Sequence, residues 1–246
     1  MRPPRIALSG SAVTVRRTIE LPGGTMSASD VHTLLAYIDD ALPSERIHWP
    51  SGWPGEIEAA LLDAVFSARA TYGTPTSGVR RVVANWRAHR GGDLDDLTAL
   101  AAFVDTPDRL AEILGNRQRV PGNYTTKAEA AALAAAALVE AGVAGSARIG
   151  DGRIAREALA SVPGLGATTW ETFVLQLGLV GPAALDTIRQ FVTEAMGPGD
   201  TPVTETRALE VLADVTEHLD VDPTALLGAV WRYGRSRDRT RNPLSA

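Results

Sequence analysis

The sequence predicts an all-α protein, a two-lobed helical bundle preceded by a short extended or β arm. Three observations predict this. Beyond residue 24, apolar residues recur mainly at helical spacing. Capping residues, and prolines at first helical positions, punctuate the chain between those apolar stretches. Hydrophobic residues make up 45% of the chain but aromatics only 5%, with alanine abundant, a composition suited to helices packed closely on helices. At 246 residues, the chain is long enough to bury one large core or two modest ones.

The elements follow in order. Residues 1–24 contain IALSGSAVTVRRTIEL, β-branched and partly alternating, which reads as one or two short strands or an arm packed on the helical body. Ser27 to Asp30 cap a helix from about 30 to 42, ended by Pro43. HWPSGWPG is a loop, and Pro54 stands at the start of an amphipathic helix over 55–71 with Ile57, Ala60, Leu61, Ala64, Val65 and Ala68 inward. Thr76 and Ser77 open a helix to about 89, and Asp95 opens another to 104. Thr106–Pro107 begins a helix over 107–115, and NRQRVPGNY (116–124) is a polar loop. Thr125–Thr126 cap a long alanine-rich helix, 126–141. Shorter helices follow at 153–161, 167–178 and 184–196. Thr204 caps one to 219, and Asp222–Pro223 starts the last, to about 233. This order groups 25–53 with 197–246 as a terminal-helix lobe and leaves 54–196 as a barrel-like lobe.

Composition removes several functions. With no cysteine, the chain has no disulfide, no Cys-ligated zinc and no Cys-ligated iron–sulfur cluster. The four histidines are scattered without metal-ligand spacing, so no metal site is expected. No apolar run approaches membrane-spanning length, and no signal peptide is legible, so a cytoplasmic location is expected. A net charge of −5 argues against nucleic-acid binding by the whole surface. Positive charge is local instead: Arg80, Arg81, Arg87 and Arg90 share one helix, and five arginines fall within 232–241. That last segment reads either as a DNA-backbone contact or as a disordered solubilising tail.

The most informative segment is VPGLG at 162–166. Pro163, Gly164 and Gly166 lie within four residues, where the backbone must bend sharply. The helix that follows begins with N–H groups that have no intrahelical partner, a natural seat for an anion such as a backbone phosphate. Asp186 comes one helix and one loop later, eighteen residues after Thr168. Upstream, SARAT (67–71) ends one predicted helix and YTTKAEA (124–130) opens another.

Taken in order, these segments resemble the helix-hairpin-helix DNA glycosylase superfamily, in particular its endonuclease III type, over about residues 55–195. The chain departs from that family at several points. Thr168 stands where lyase-competent members carry a lysine, and LDTI (185–188) stands where the family reads Val-Asp-Thr-His. Phe191 replaces a usual arginine, and the cysteines of the iron–sulfur loop are absent. The resemblance therefore implies a divergent, monofunctional enzyme that excises a damaged, modified or mismatched base after flipping it out of the duplex. Its alternative is a non-catalytic binder of distorted or lesion-containing DNA.

Residue by residue, the resemblance implies that Asp186 stabilises the positive charge growing on the sugar. Gly164, Gly166 and Thr168 would hold the DNA backbone, and Arg69 would fill the gap left by the flipped base. Asn123 would be a second wedge and Lys127 a phosphate contact. Tyr124, Trp170 and Glu171 would line the pocket, and hairpin carbonyls would hold a Na⁺ or K⁺ ion when DNA is bound. The expected partner is double-stranded DNA, met by a monomer. Plainer readings stand beside these: Asp186 as a helix cap, Trp170 as a core residue, Lys127 as a solvent-facing helix start, and the turn as a tight connection without ligand.

Overall fold

The computed structural model describes residues 28–42, 49, 51–70, 73–74, 76–150, 152–197 and 203–241. The predicted arm at 1–24 lies outside them. Among the described residues there are α-helices and one 3-10 turn but no β-strand, as the all-α reading requires. In chain order the helices are α1 (Ala28–Ala41), α2 (Ile57–Phe66), α3 (Gly78–Arg90), α4 (Thr98–Ala101), α5 (Pro107–Leu114), α6 (Lys127–Glu140), α7 (Arg153–Ala160), α8 (Ala167–Gln176), α9 (Pro182–Met196), α10 (Glu205–Leu219) and α11 (Pro223–Arg241). They divide into two compact units, one of residues 53–179 and one that joins the described residues up to 52 with those from 180 onward.

In the unit of residues 53–179, α2 runs through the core. All ten of its residues are buried, so it is not the one-faced amphipathic helix that its apolar spacing predicts. Burial on every side brings two carboxylates inside, and each is fully hydrogen-bonded, as a buried charge must be. Glu58 accepts from Trp86 Nε1 at 2.7 Å, Arg90 Nε at 3.1 Å and the Asp96 amide at 3.1 Å. Asp63 accepts from Trp53 Nε1, Ser67 Oγ and Gln176 Nε2. The helix starts at Ile57, three residues beyond Pro54, because its first amides are met from outside: the Ile57 N–H by Asp95 Oδ1 and the Glu58 N–H by the Leu94 carbonyl. Asp95 also accepts from the Ser146 amide and hydroxyl, so it staples two segments together instead of opening a helix at its own position. That helix, α4, is confined to four residues.

Helix α6 packs against α2, α4, α5 and α7, which its run of small alanines permits. Its start carries the predicted cap in full. Thr126 accepts from the Glu129 amide, and the Glu129 carboxylate reaches back to the Thr126 amide. Helix α5 likewise begins with the predicted proline at its first position.

In the other unit, α9 packs against α1, α10 and α11. The rings of Tyr37, Phe191 and Tyr233 form a chain across three of these helices, with centroids 5.0 and 5.6 Å apart. Tyr37 donates to Glu194 at 2.9 Å, and Arg237 pairs with the same carboxylate. Burial, with the hydrogen bonds of Tyr37 to Tyr233 and Glu194, holds its phenol well above its ordinary pKa. These contacts place α9 with the terminal helices, so the boundary falls at 179/180 and not at 196. Helix α11 runs through the arginine-rich segment to residue 241, past the expected end near 233, which argues against the tail reading of that segment and leaves the DNA-contact reading untouched. Within that stretch Arg235 lies over the Trp231 ring.

Candidate nucleic-acid interface

Helices α7 and α8 are joined by the VPGLG turn, and its two glycines are used differently. Gly164 has φ +86°, a conformation that disfavours any side chain, and an added Cβ would meet Val120 Cγ1 at 2.5 Å and Asn123 Nδ2 at 3.5 Å. Gly166 is extended, at φ −128°, and a Cβ there would meet nothing within 4 Å. It is the N-cap of α8, and no side chain caps the amides that follow. Thr168, in the first turn, is exposed. Of the turn's carbonyls, that of Val162 accepts from the Leu165 amide and that of Gly166 from the Trp170 amide.

The 116–124 loop packs under this turn. It closes on itself through a bridge between Arg119 and Thr126, with the Val120 amide on the Thr125 carbonyl and the Lys127 amide on the Gln118 carbonyl. Asn123 is half-buried, and its Oδ1 is taken by the amide and hydroxyl of Thr125. It therefore braces the loop and does not project from it, contrary to its expected place as a wedge. The projecting side chain is its neighbour Tyr124, 89% exposed, with the Arg119 guanidinium 5.9 Å from its ring centroid.

The SARAT segment follows α2. Arg69 is exposed and left-handed, at φ 51°, a conformation that costs a non-glycine residue roughly 1–2 kcal/mol. The turn is bonded from within by the Ala70 amide on the Ser67 carbonyl and from outside by Lys127. The expected phosphate contact is instead 2% exposed, with Nζ donating to the carbonyls of Phe66 at 3.0 Å and Ala68 at 2.8 Å and to Gln118 Oε1 at 3.3 Å. Burial pushes its pKa from 10.5 down to about 8. An ammonium spent on three internal oxygens is not available to a phosphate. The signal for this was in the sequence: Lys127 shares a helical face with Ala131, Ala134 and Leu138, all buried.

Two of the three expected pocket residues lie in the core. Trp170 is 1% exposed and meets Phe173 edge-on at 5.9 Å, and Glu171 is buried beside it. Trp170 Nε1 has no hydrogen-bond partner among the described residues.

Asp186 belongs to the other unit, inside α9. That helix begins at Pro182 with Gly181 as its N-cap, so Asp186 lies past the cap position. Its side chain is 51% exposed and pairs along the helix with Arg189 at 2.5 Å and Gln190 at 2.7 Å. The dry surroundings expected of a catalytic carboxylate are absent at this residue. Ile188 and Phe191, at the positions where the family carries histidine and arginine, are buried in the helix packing. No cluster of three or more His, Asp or Glu suited to a metal ion occurs among the described residues, and no described helix is long and apolar enough to cross a membrane.

The chain belongs to a family described as a domain of unknown function (DUF8548), which matches residues 32–235 and so takes in helices of both units. No curated protein and no solved structure matches it.

Proposed function

We propose that residues 53–179 form a module that binds double-stranded DNA where the duplex is distorted or carries a lesion, as the resemblance to helix-hairpin-helix glycosylases implies. One observation carries the reading: three segments far apart in sequence, 67–70, 116–126 and 162–166, are tied together by Lys127 and by the seat of Gly164 on Val120. Arg69 and Tyr124 are then the exposed side chains that enter the duplex, by stacking and by hydrogen bonds to an unpaired base. The uncapped amides at the start of α8 take a backbone phosphate, with a monovalent cation on the turn's carbonyls in the same complex.

The test is fluorescence anisotropy with intact, bulged and abasic duplexes, beginning at about 50 mM salt, where electrostatic contacts are strong. The distorted duplexes are expected to bind more tightly, and Arg69→Ala and Tyr124→Ala to remove that preference. Equal affinity for all three duplexes overturns the reading.

Base excision is the second reading. It rests on the resemblance, which puts the essential carboxylate at Asp186, eighteen residues after Thr168. Thr168 in place of the lysine limits it to hydrolysis without strand cleavage. The exposed, paired state of Asp186 makes DNA binding the better supported of the two.

A further inference from the structure

Lys127 is the only lysine of the chain, and it is buried at a helix start without a carboxylate among its three hydrogen-bond acceptors. Its acceptors come from two different segments. The Phe66 and Ala68 carbonyls end α2 and flank the turn into Arg69, whereas Gln118 sits next to Arg119 in the loop that carries Tyr124. An ammonium has three donors, and here each is used once. Gln118 itself is exposed. The loop is also tied to the start of α6 by backbone bonds, the Lys127 amide on the Gln118 carbonyl among them, but these do not reach the 66–69 segment; Nζ is the group that touches both.

We propose that Lys127 is a positioning residue for the DNA-binding surface, joining the Arg69 turn to the Tyr124 loop so that both side chains are presented together. The inference rests on the functional reading above for what the two side chains do, but not for the joint itself. A lysine serving only to fill the core would be replaceable by any apolar side chain of its length. A positioning lysine leaves two segments loose when its donors go, even where the core is intact.

Hydrogen exchange of the full chain, read by mass spectrometry, tests the joint without DNA. Lys127→Met removes all three donors, and the expected result is faster exchange in both 67–70 and 118–125, with α3 and α8 unchanged. Gln118→Ala cuts one arm at an exposed residue and does not threaten folding. It is expected to loosen 118–125 and to leave 67–70 protected. Uniform loss of protection with Lys127→Met, or no change in the loop with Gln118→Ala, overturns the proposal, and the second variant decides alone if the first fails to fold.

Binding to the abasic duplex supplies the other arm. Gln118→Ala is expected to weaken it about tenfold in the wild-type background and no more than about twofold in Tyr124→Ala, because the loss acts through the loop that carries Tyr124 and coupled residues are non-additive. Equal losses in both backgrounds count against positioning. A wild type that binds no duplex removes the functional reading, and the exchange result then still decides whether Lys127 joins the two segments.

Discussion

A Cβ placed on Gly164 would stand 2.5 Å from Cγ1 of Val120, a separation that no real side chain tolerates, so the VPGLG turn and the 116–124 loop fit together only because one of them has no side chain. Val120 is buried and β-branched, with little freedom to rotate away. Gly164→Ala therefore combines an unfavourable left-handed alanine with overpacking. The expected loss is roughly 2–4 kcal/mol, measured by urea unfolding followed by tryptophan fluorescence. Val120→Ala in the same chain is expected to recover the packing part and leave the backbone part. Gly166→Ala, with open space around it, is expected to cost less than about 1 kcal/mol.

The contrast between these glycines shows what was legible in advance. PGxG marks a turn, but only the tertiary fit tells which glycine is obligatory. Local signals were read correctly where the chemistry is local, as at the Thr126 cap, the Thr106–Pro107 start and the Thr204 cap. They failed where burial overrides them. Glu58, Asp63 and Lys127 are charged and were not among the expected core residues, yet each is buried because hydrogen-bond partners satisfy it. The helical continuation of α11 past 233 was missed because the pairing of Arg237 with Glu194, 43 residues earlier, is not a sequence signal.

Glu58 provides the second test. Its carboxylate has no exposure and gathers an indole, a guanidinium and a backbone amide. Glu58→Gln points an amide NH₂ at donors and leaves Arg90 without its counter-charge. Removing one member of such a group is expected to cost about 3 kcal/mol. Glu157→Gln, which breaks the exposed pair with Arg153, is the comparison and is expected to cost under about 0.5 kcal/mol. Similar losses for the two would show that Glu58 is not buried as described.

Asp186 is predicted to matter little to folding. It is half-exposed, and its pair with Arg189 lies within one helix, an arrangement worth a few tenths of a kcal/mol at most. Asp186→Asn is expected to keep the wild-type unfolding midpoint and the wild-type affinity for abasic duplex. Base release from a panel of modified duplexes then separates the two functional readings. Release by the wild type that disappears in Asp186→Asn establishes excision, while release that persists removes Asp186 from the chemistry.

Lys127 allows the pH dependence of a single group to be read directly, since a chain grown with ¹³Cε-lysine carries one labelled side chain. Its resonance is expected to titrate near pH 8, well under the ordinary 10.5, because burial disfavours the charged form. The sign of the stability effect follows from proton counts. Between these two values the unfolded chain holds the proton and the folded chain does not, so this group's contribution to stability rises with pH. Below pH 8 both states are charged, and the full cost of burying the ammonium is present; above 10.5 neither is, and the cost is gone. Deprotonation leaves two donors for three acceptors, and the contact to Gln118, the longest at 3.3 Å, is the one expected to open. Exchange in 118–125, corrected for intrinsic base catalysis, should therefore quicken across the titration in the wild type and stay flat in Gln118→Ala. A resonance titrating at 10.5 would mean a solvated ammonium, and the link between the two segments would fall with it.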